Sequence, residues 1–237
     1  MYKNLFSLAI LFVSVVFSVS VVAQKTLESG MVKMEITKVS ADDPQMEMQL
    51  EMMKGSQTSI YFEKERHASY MSMMGGMMEI KVLADEKDKK TNMLMDVMGQ
   101  KIWVESSFDE AQNPQQKEIM DKSVITYDKN DTKKILGYDC YKFTVTNPEM
   151  EELSLTGYLT QDIKSKANIM QGFQSLEFEG FPMEFTMGNK MFSMTNTAVE
   201  VKDKLDASKL KFDTKGYKKM TMEELQKSMG GMGGFGF

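Results

Sequence analysis

The stretch Met31-Val32-Lys33-Met34-Glu35-Ile36-Thr37-Lys38-Val39 changes polarity at almost every step. Val32, Met34 and Ile36 fall on one face of an extended chain, and Lys33, Glu35 and Thr37 on the other, because successive side chains of a strand point to opposite sides. A helical period would not sort these residues so cleanly. The same period of two returns where Tyr141, Phe143 and Val145 alternate with Lys142, Thr144 and Thr146. It returns again where Leu153, Leu155 and Leu159 alternate with Ser154, Thr156, Tyr158 and Thr160. Met46–Met52 also carries it, with Met46, Met48, Leu50 and Met52 against Glu47, Gln49 and Glu51, and is read as a strand. One dry and one wet face is the signature of an antiparallel sheet.

Further strands are expected at Thr58–Glu63, Ala68–Met74, Met77–Ala84, Asn92–Met98, Lys101–Glu105, Ser123–Tyr127, Lys133–Cys140, Phe181–Met187 and Lys190–Lys202. Turn chemistry separates them. Gly75-Gly76 reads as a two-residue hairpin loop, since glycine takes the positive φ such loops demand. Asp85–Lys90, Asp128–Asp131 and Asn147-Pro148 also read as turns. Helices are few: Asp109–Met120 despite Pro114, Lys164–Phe173, and Thr221–Ser228, where Thr221 and Glu224 have the spacing of a capping box. Many strands at short spacing predict a mainly β protein built on one large antiparallel sheet or barrel, with a few helices.

Composition removes several functions. The 237 residues hold 29 Lys and Arg against 34 Asp and Glu, a net charge of −5, which excludes the cationic surplus of an ordinary nucleic-acid binder. A single Cys forbids an internal disulfide, and a single His forbids a multi-His metal site. The 26 methionines are the odd feature. Residues 1–23 read as a cleaved secretory signal, with Lys3 ahead of an apolar run and Val21-Val22-Ala23 at the cut. A periplasmic or secreted protein is expected, not an integral membrane protein after cleavage. Residues 24–220 read as one β domain and 221–237 as a short helix followed by a Gly/Met/Phe tail.

The segment Ile135-Leu136-Gly137-Tyr138-Asp139-Cys140-Tyr141-Lys142 resembles the Ile-x-Gly-Tyr-x-Cys-x-Lys pattern of an exported bacterial family, domain of unknown function 4412. Gly157-Tyr158-Leu159-Thr160-Gln161-Asp162-Ile163, Glu65-Arg66 and Phe212–Tyr217 are similar to further motifs of that family, although Thr214 or Lys215 stands where its closing motif has Pro. More widely the chain resembles the LolA-like lipoprotein-carrier fold. That resemblance implies a sheet curled into a half-open barrel with helices over its mouth and a cavity for apolar ligands. It transfers no catalytic residue, since fold does not fix function.

Methionine could carry binding. Alternation puts Met71 and Met73 on one face and Met73 opposite Met78, a soft surface on which unbranched thioethers repack at little cost. The same side chains could fill a core in place of Leu and Ile, or hold Cu(I) on the Met71–Met78 hairpin, since thioethers suit a soft monovalent ion. Trp103, Phe173 and Phe181 are the aromatic candidates, with a lid placed over Ile169–Phe185. Cys140 is expected to be buried, and His67, beside Glu63, Glu65 and Arg66, to form a solvated strand end. No phosphate cradle or nucleophile elbow appears in the sequence. The expectation is a non-enzymatic binding protein without cofactor or resident metal. It would hold a lipid, a lipidated chain or another apolar molecule, with hydrophobic-ligand candidates Met71, Met73, Met78, Trp103, Phe173 and Phe181. The alternatives are a Cu(I)-binding protein and an interaction module for an envelope protein.

Overall fold

The computed structural model describes residues 26–108, 118, 120–149, 154–167, 176–211 and 213–230. The strands are β1 (Gly30–Ala41), β2 (Gln57–Phe62), β3 (Arg66–Met73), β4 (Met78–Asp85), β5 (Lys90–Val97), β6 (Gln100–Ser107), β7 (Val124–Ile135), β8 (Tyr138–Thr146), β9 (Ser154–Thr160), β10 (Phe181–Gly188), β11 (Phe192–Lys202) and β12 (Lys218–Met220). Two helices are described over their whole length, α1 (Pro44–Glu51) and α2 (Met222–Gly230). All twelve strands join one sheet in the order β12-β6-β5-β4-β3-β2-β1-β11-β10-β9-β8-β7. Its two ends are separate edges, so the sheet is open and curled rather than a closed barrel. Neighbours run antiparallel except for the short β12, which lies parallel to β6.

Register carries the alternation across the sheet. Met34 faces Thr58, Thr58 faces Met71, Met71 faces Ile80, Ile80 faces Met95 and Met95 faces Ile102. These residues share what we term the inner face. In the other half, Phe143 faces Gly157 and Gly157 faces Phe185 on that side. The core there is dense: Val32, Ile60, Phe62, Phe143, Leu159 and Met183 are all fully buried. Phe178 closes over it, its ring edge-on to Phe143 with centroids 5.0 Å apart.

Several expected elements take a different form. Met46–Met52 is helical, not extended. Asp43 caps it, accepting from the backbone N–H of Gln45 and of Met46 at 2.9 Å, and Pro44 opens it. That is ordinary helix-start chemistry. Asp128–Asp131 is not a turn between two strands. β7 runs through it as a bulge whose register slips between Asp128 and Thr132, with Asp128 Oδ1 accepting from the N–H of Asn130 and Asp131. The expected strand Lys133–Cys140 is divided by a two-residue loop at Leu136 (φ 50) and Gly137 (φ 88). Both positions need positive φ, which suits glycine and strains leucine. Met74–Met77 is a four-residue connection beginning with a 3-10 turn, rather than a two-residue one. Lys164–Ala167 is not helical, and the rest of that candidate, Phe173 included, lies outside the described residues, as do residues 1–25, most of Asp109–Met120 and the residues after Gly230.

Candidate functional site

The inner face of β3–β6 differs from the closed half. Met78, Ile80, Met95 and Val104 are buried there, while Met71, Met73, Val82, Met93, Val97 and Ile102 pack against them only partly covered. Among the described residues, Leu225 and Met222 of α2 are the helical side chains set on this patch. α2 is placed by a capping box: Thr221 Oγ1 accepts from the Glu224 N–H at 3.1 Å, and Glu224 Oε2 accepts from the Thr221 N–H at 2.8 Å. Thioethers suit such a surface, because three rotatable bonds let them follow an irregular occupant.

The structure brings Met71, Met73 and Met78 together and separates them from Trp103 and Phe181, while Phe173 lies outside the described residues. Met73 and Met78 form the last rung of the β3–β4 ladder. Trp103 faces Leu94 and so points to the outer face, where its Nε1 donates to Asn92 Oδ1 at 3.2 Å and Lys219 Nζ lies 4.4 Å from its ring centre. Phe181 faces Thr160, on the side of the sheet away from Leu159, and is fully buried.

A second methionine feature, not visible from any single strand, lies at one end of the sheet. The connections there expose Met48, Met52, Met74, Met77, Met98 and Met191. Met98-Gly99 is a two-residue loop with φ 52 and 86, and the Met98 N–H donates to the Met77 carbonyl at 3.0 Å. The dipeptide between two alternating runs was its only sequence sign.

His67 is not a solvated strand end. It faces Phe62 and Ala84 on the inner side. Burial, with Lys166 nearby, pushes its pKa down to about 4, so the imidazole is neutral at pH 7. Cys140 is buried as expected. Its Sγ donates to the Tyr138 carbonyl at 3.5 Å, and burial pushes the thiol up to about 11. The Cys140 thiol is not poised for nucleophilic chemistry, which needs a thiolate. On the outer face of the closed half, Asp131 accepts from Lys142 Nζ at 2.9 Å and Tyr158 OH at 3.0 Å, which holds its carboxyl below the usual range. Lys133 reaches Glu184 at 2.7 Å beside it. These charges satisfy one another and pin the β7 bulge to the sheet. No helix among the described residues is long and apolar enough to cross a membrane.

No family model and no curated protein matches the chain in sequence. Among solved structures, the lipoprotein LppX of Mycobacterium tuberculosis is similar at 10% identity and a TM-score of 0.36, over 76% of this chain and 89% of that one. LprF from Mycobacterium bovis gives 11% identity and a TM-score of 0.31 over 74% and 87% of the two chains. MucB, also solved in complex with MucA of Pseudomonas aeruginosa, gives 11% and 0.33 over 81% and 60%.

Proposed function

We propose that this chain is an exported, non-enzymatic binding protein that holds an apolar molecule, such as a lipid or a lipidated chain, on the inner face of β3–β6. The observation that carries this reading is the contrast between the two halves of one face. Around Phe143 and Leu159 the protein's own side chains fill the inner side; around Met73, Met93 and Val97 the apolar surface is only partly covered. Covering such surface is favourable at roughly 25 cal/mol per Å². An acyl chain gains about 0.8 kcal/mol for each CH₂ it buries there, before the cost of association. A lipidated envelope protein would present the same chemistry.

Native mass spectrometry of the full-length protein, purified without detergent, tests the reading together with displacement of a fluorescent fatty acid. The expected result is a bound apolar species that organic extraction removes, and saturable probe binding that Met73→Asp weakens at least tenfold. A protein that carries no such species and does not bind the probe would refute the reading.

A further inference from the structure

Between the end of β11 and β12, the chain crosses the outer face of β3–β5. Tyr70 OH donates to the Lys209 carbonyl at 2.8 Å, and Leu210 is buried against the sheet. Under this crossing lies a cavity of about 130 Å³. Two rows of the sheet form its floor: Tyr70, Lys81 and Leu94 face one another in turn, as do Ala68, Leu83 and Asn92. Lys209, Lys211, Asp213 and Tyr217 of the crossing segment complete it.

The charge in this cavity runs against the molecule. The chain is net acidic, yet three lysines and one aspartate line the site. Lys81 Nζ lies 5.4 Å and Lys209 Nζ 5.6 Å from the centre of the same Tyr70 ring. None of Lys81, Lys209 and Lys211 forms an ion pair with a described carboxylate. Asp213 Oδ1 is occupied by the N–H of Lys215 at 2.9 Å. Two ammonium groups held at one ring repel each other, and Asp206 lies near enough to Lys209 to offset part of that charge. Asn92 adds a donor: its amide oxygen is taken by the Trp103 indole, which leaves the NH₂ end for the cavity.

We propose that this cavity binds a compact phosphate group, held by the Lys81, Lys209 and Lys211 ammonium groups with the Asn92 amide as a neutral donor and Tyr70 as its wall. Lysine binds phosphate as a point charge. The volume suits several waters or one small oxyanion, and falls short of the roughly 300 Å³ at which clefts for larger organic ligands begin. The phosphate could be free or the headgroup of a lipid whose chain stays outside. The site lies on the face opposite Met73 and Met78, so it stands or falls independently of the apolar-ligand reading.

Trp103 is the only tryptophan of the chain and bonds directly to Asn92, so its fluorescence reports on the site. The full-length protein is titrated with inorganic phosphate, glycerol phosphate and lysophosphatidate below its micelle concentration, against chloride at equal ionic strength, with calorimetry alongside. Expected is saturable binding of phosphate but not chloride, at least tenfold weaker in both Lys81→Gln and Lys209→Gln. Lys190→Gln, an exposed lysine on the methionine end, should bind as the parent does. Far-UV circular dichroism checks that each variant is folded, and Lys209→Gln leaves the sheet itself untouched. Lysophosphatidate binding more tightly than free phosphate, with the same dependence on Lys81, would identify a lipid headgroup as the source; equal affinity would identify soluble phosphate. The proposal fails if chloride gives the same response, if the Lys81 and Lys209 variants bind as well as Lys190→Gln, or if lysophosphatidate alone binds.

Discussion

Met73 and Met78 stand directly opposite each other on the inner face, at the last rung before the chain turns from β3 to β4. Met78 is buried and Met73 is partly covered, so the rung marks the border between the protein's own core and the surface offered to an occupant. Replacing Met73 by Leu conserves volume and polarity and should change stability by under about 1.5 kcal/mol, with probe binding kept. Met73→Asp should fold with a modest loss and lose the probe. Urea unfolding paired with fatty-acid displacement separates the two effects.

The closed half should respond to truncation as a packed core does. Phe143→Ala or Leu159→Ala removes a fully buried side chain and should cost about 2–5 kcal/mol by denaturant unfolding. Equal losses for Met93→Ala would contradict the contrast between the halves.

Two glycines make opposite predictions. A Cβ on Gly157 would meet the Glu184 carbonyl oxygen at 2.2 Å and the Phe185 Cα at 2.8 Å. Backbone cannot step aside there, so Gly157→Ala should destabilise by more than about 3 kcal/mol or prevent folding. Gly137 has open space around it but φ +88, so Gly137→Ala should cost only about 1 kcal/mol of backbone strain. Thermal melts of the pair are sufficient to rank them.

Acid should weaken the fold through His67. Its folded pKa of about 4 lies below the unfolded value of 6.5. Between these values the unfolded chain binds a proton that the folded chain refuses. Stability therefore falls as pH drops from 6.5 to 4, by up to about 3 kcal/mol, and this contribution is constant above and below that window. His67→Gln should flatten that part of the stability profile. An unchanged slope between pH 6.5 and 4 would show that the imidazole is solvated.

Oxidation should read exposure along the chain. Hydrogen peroxide turns a thioether into a sulfoxide and leaves water. Met98, at 83% exposure, should convert early with Met48, Met52, Met77 and Met191, while Met34, Met95 and Met183 wait for unfolding. Peptide mapping against time gives the order. Cys140, with its thiol pushed up to about 11, should resist iodoacetamide at pH 8 until denaturant is added.

Much of the architecture was legible because it is local. Alternation located the strands, and Thr221 with Glu224 located α2, since a capping box needs only residues three apart. Met46–Met52 misled because α1 buries none of its residues. Without a core-facing stripe a helix is free to carry any pattern, and the informative residues were Asp43 and Pro44 ahead of it. His67 misled because its sequence neighbours are charged while its neighbours across the ladder are Phe62 and Ala84. Trp103 was named with the methionines as a ligand candidate; the β5–β6 register pairs it with Leu94 and so sets it on the other face, and the alternation within one strand does not encode the register between strands. The lysine cavity was illegible for a plainer reason: Tyr70 and Lys209 are separated by 139 positions.

The path of the chain from the end of β11 to Gly230 has a consequence for biogenesis. Having crossed the outer face, the chain adds β12 to the free side of β6 and then lays α2 over the inner face. This belt is synthesised after β1–β11. Until it arrives, β6 presents unpaired backbone groups beside a bare greasy patch, the combination that templates aggregation in newborn β proteins. Closing the belt pairs Ile102–Val104 of that edge and covers part of the patch in one event, so nascent chains released early should be the species that chaperones and proteases intercept.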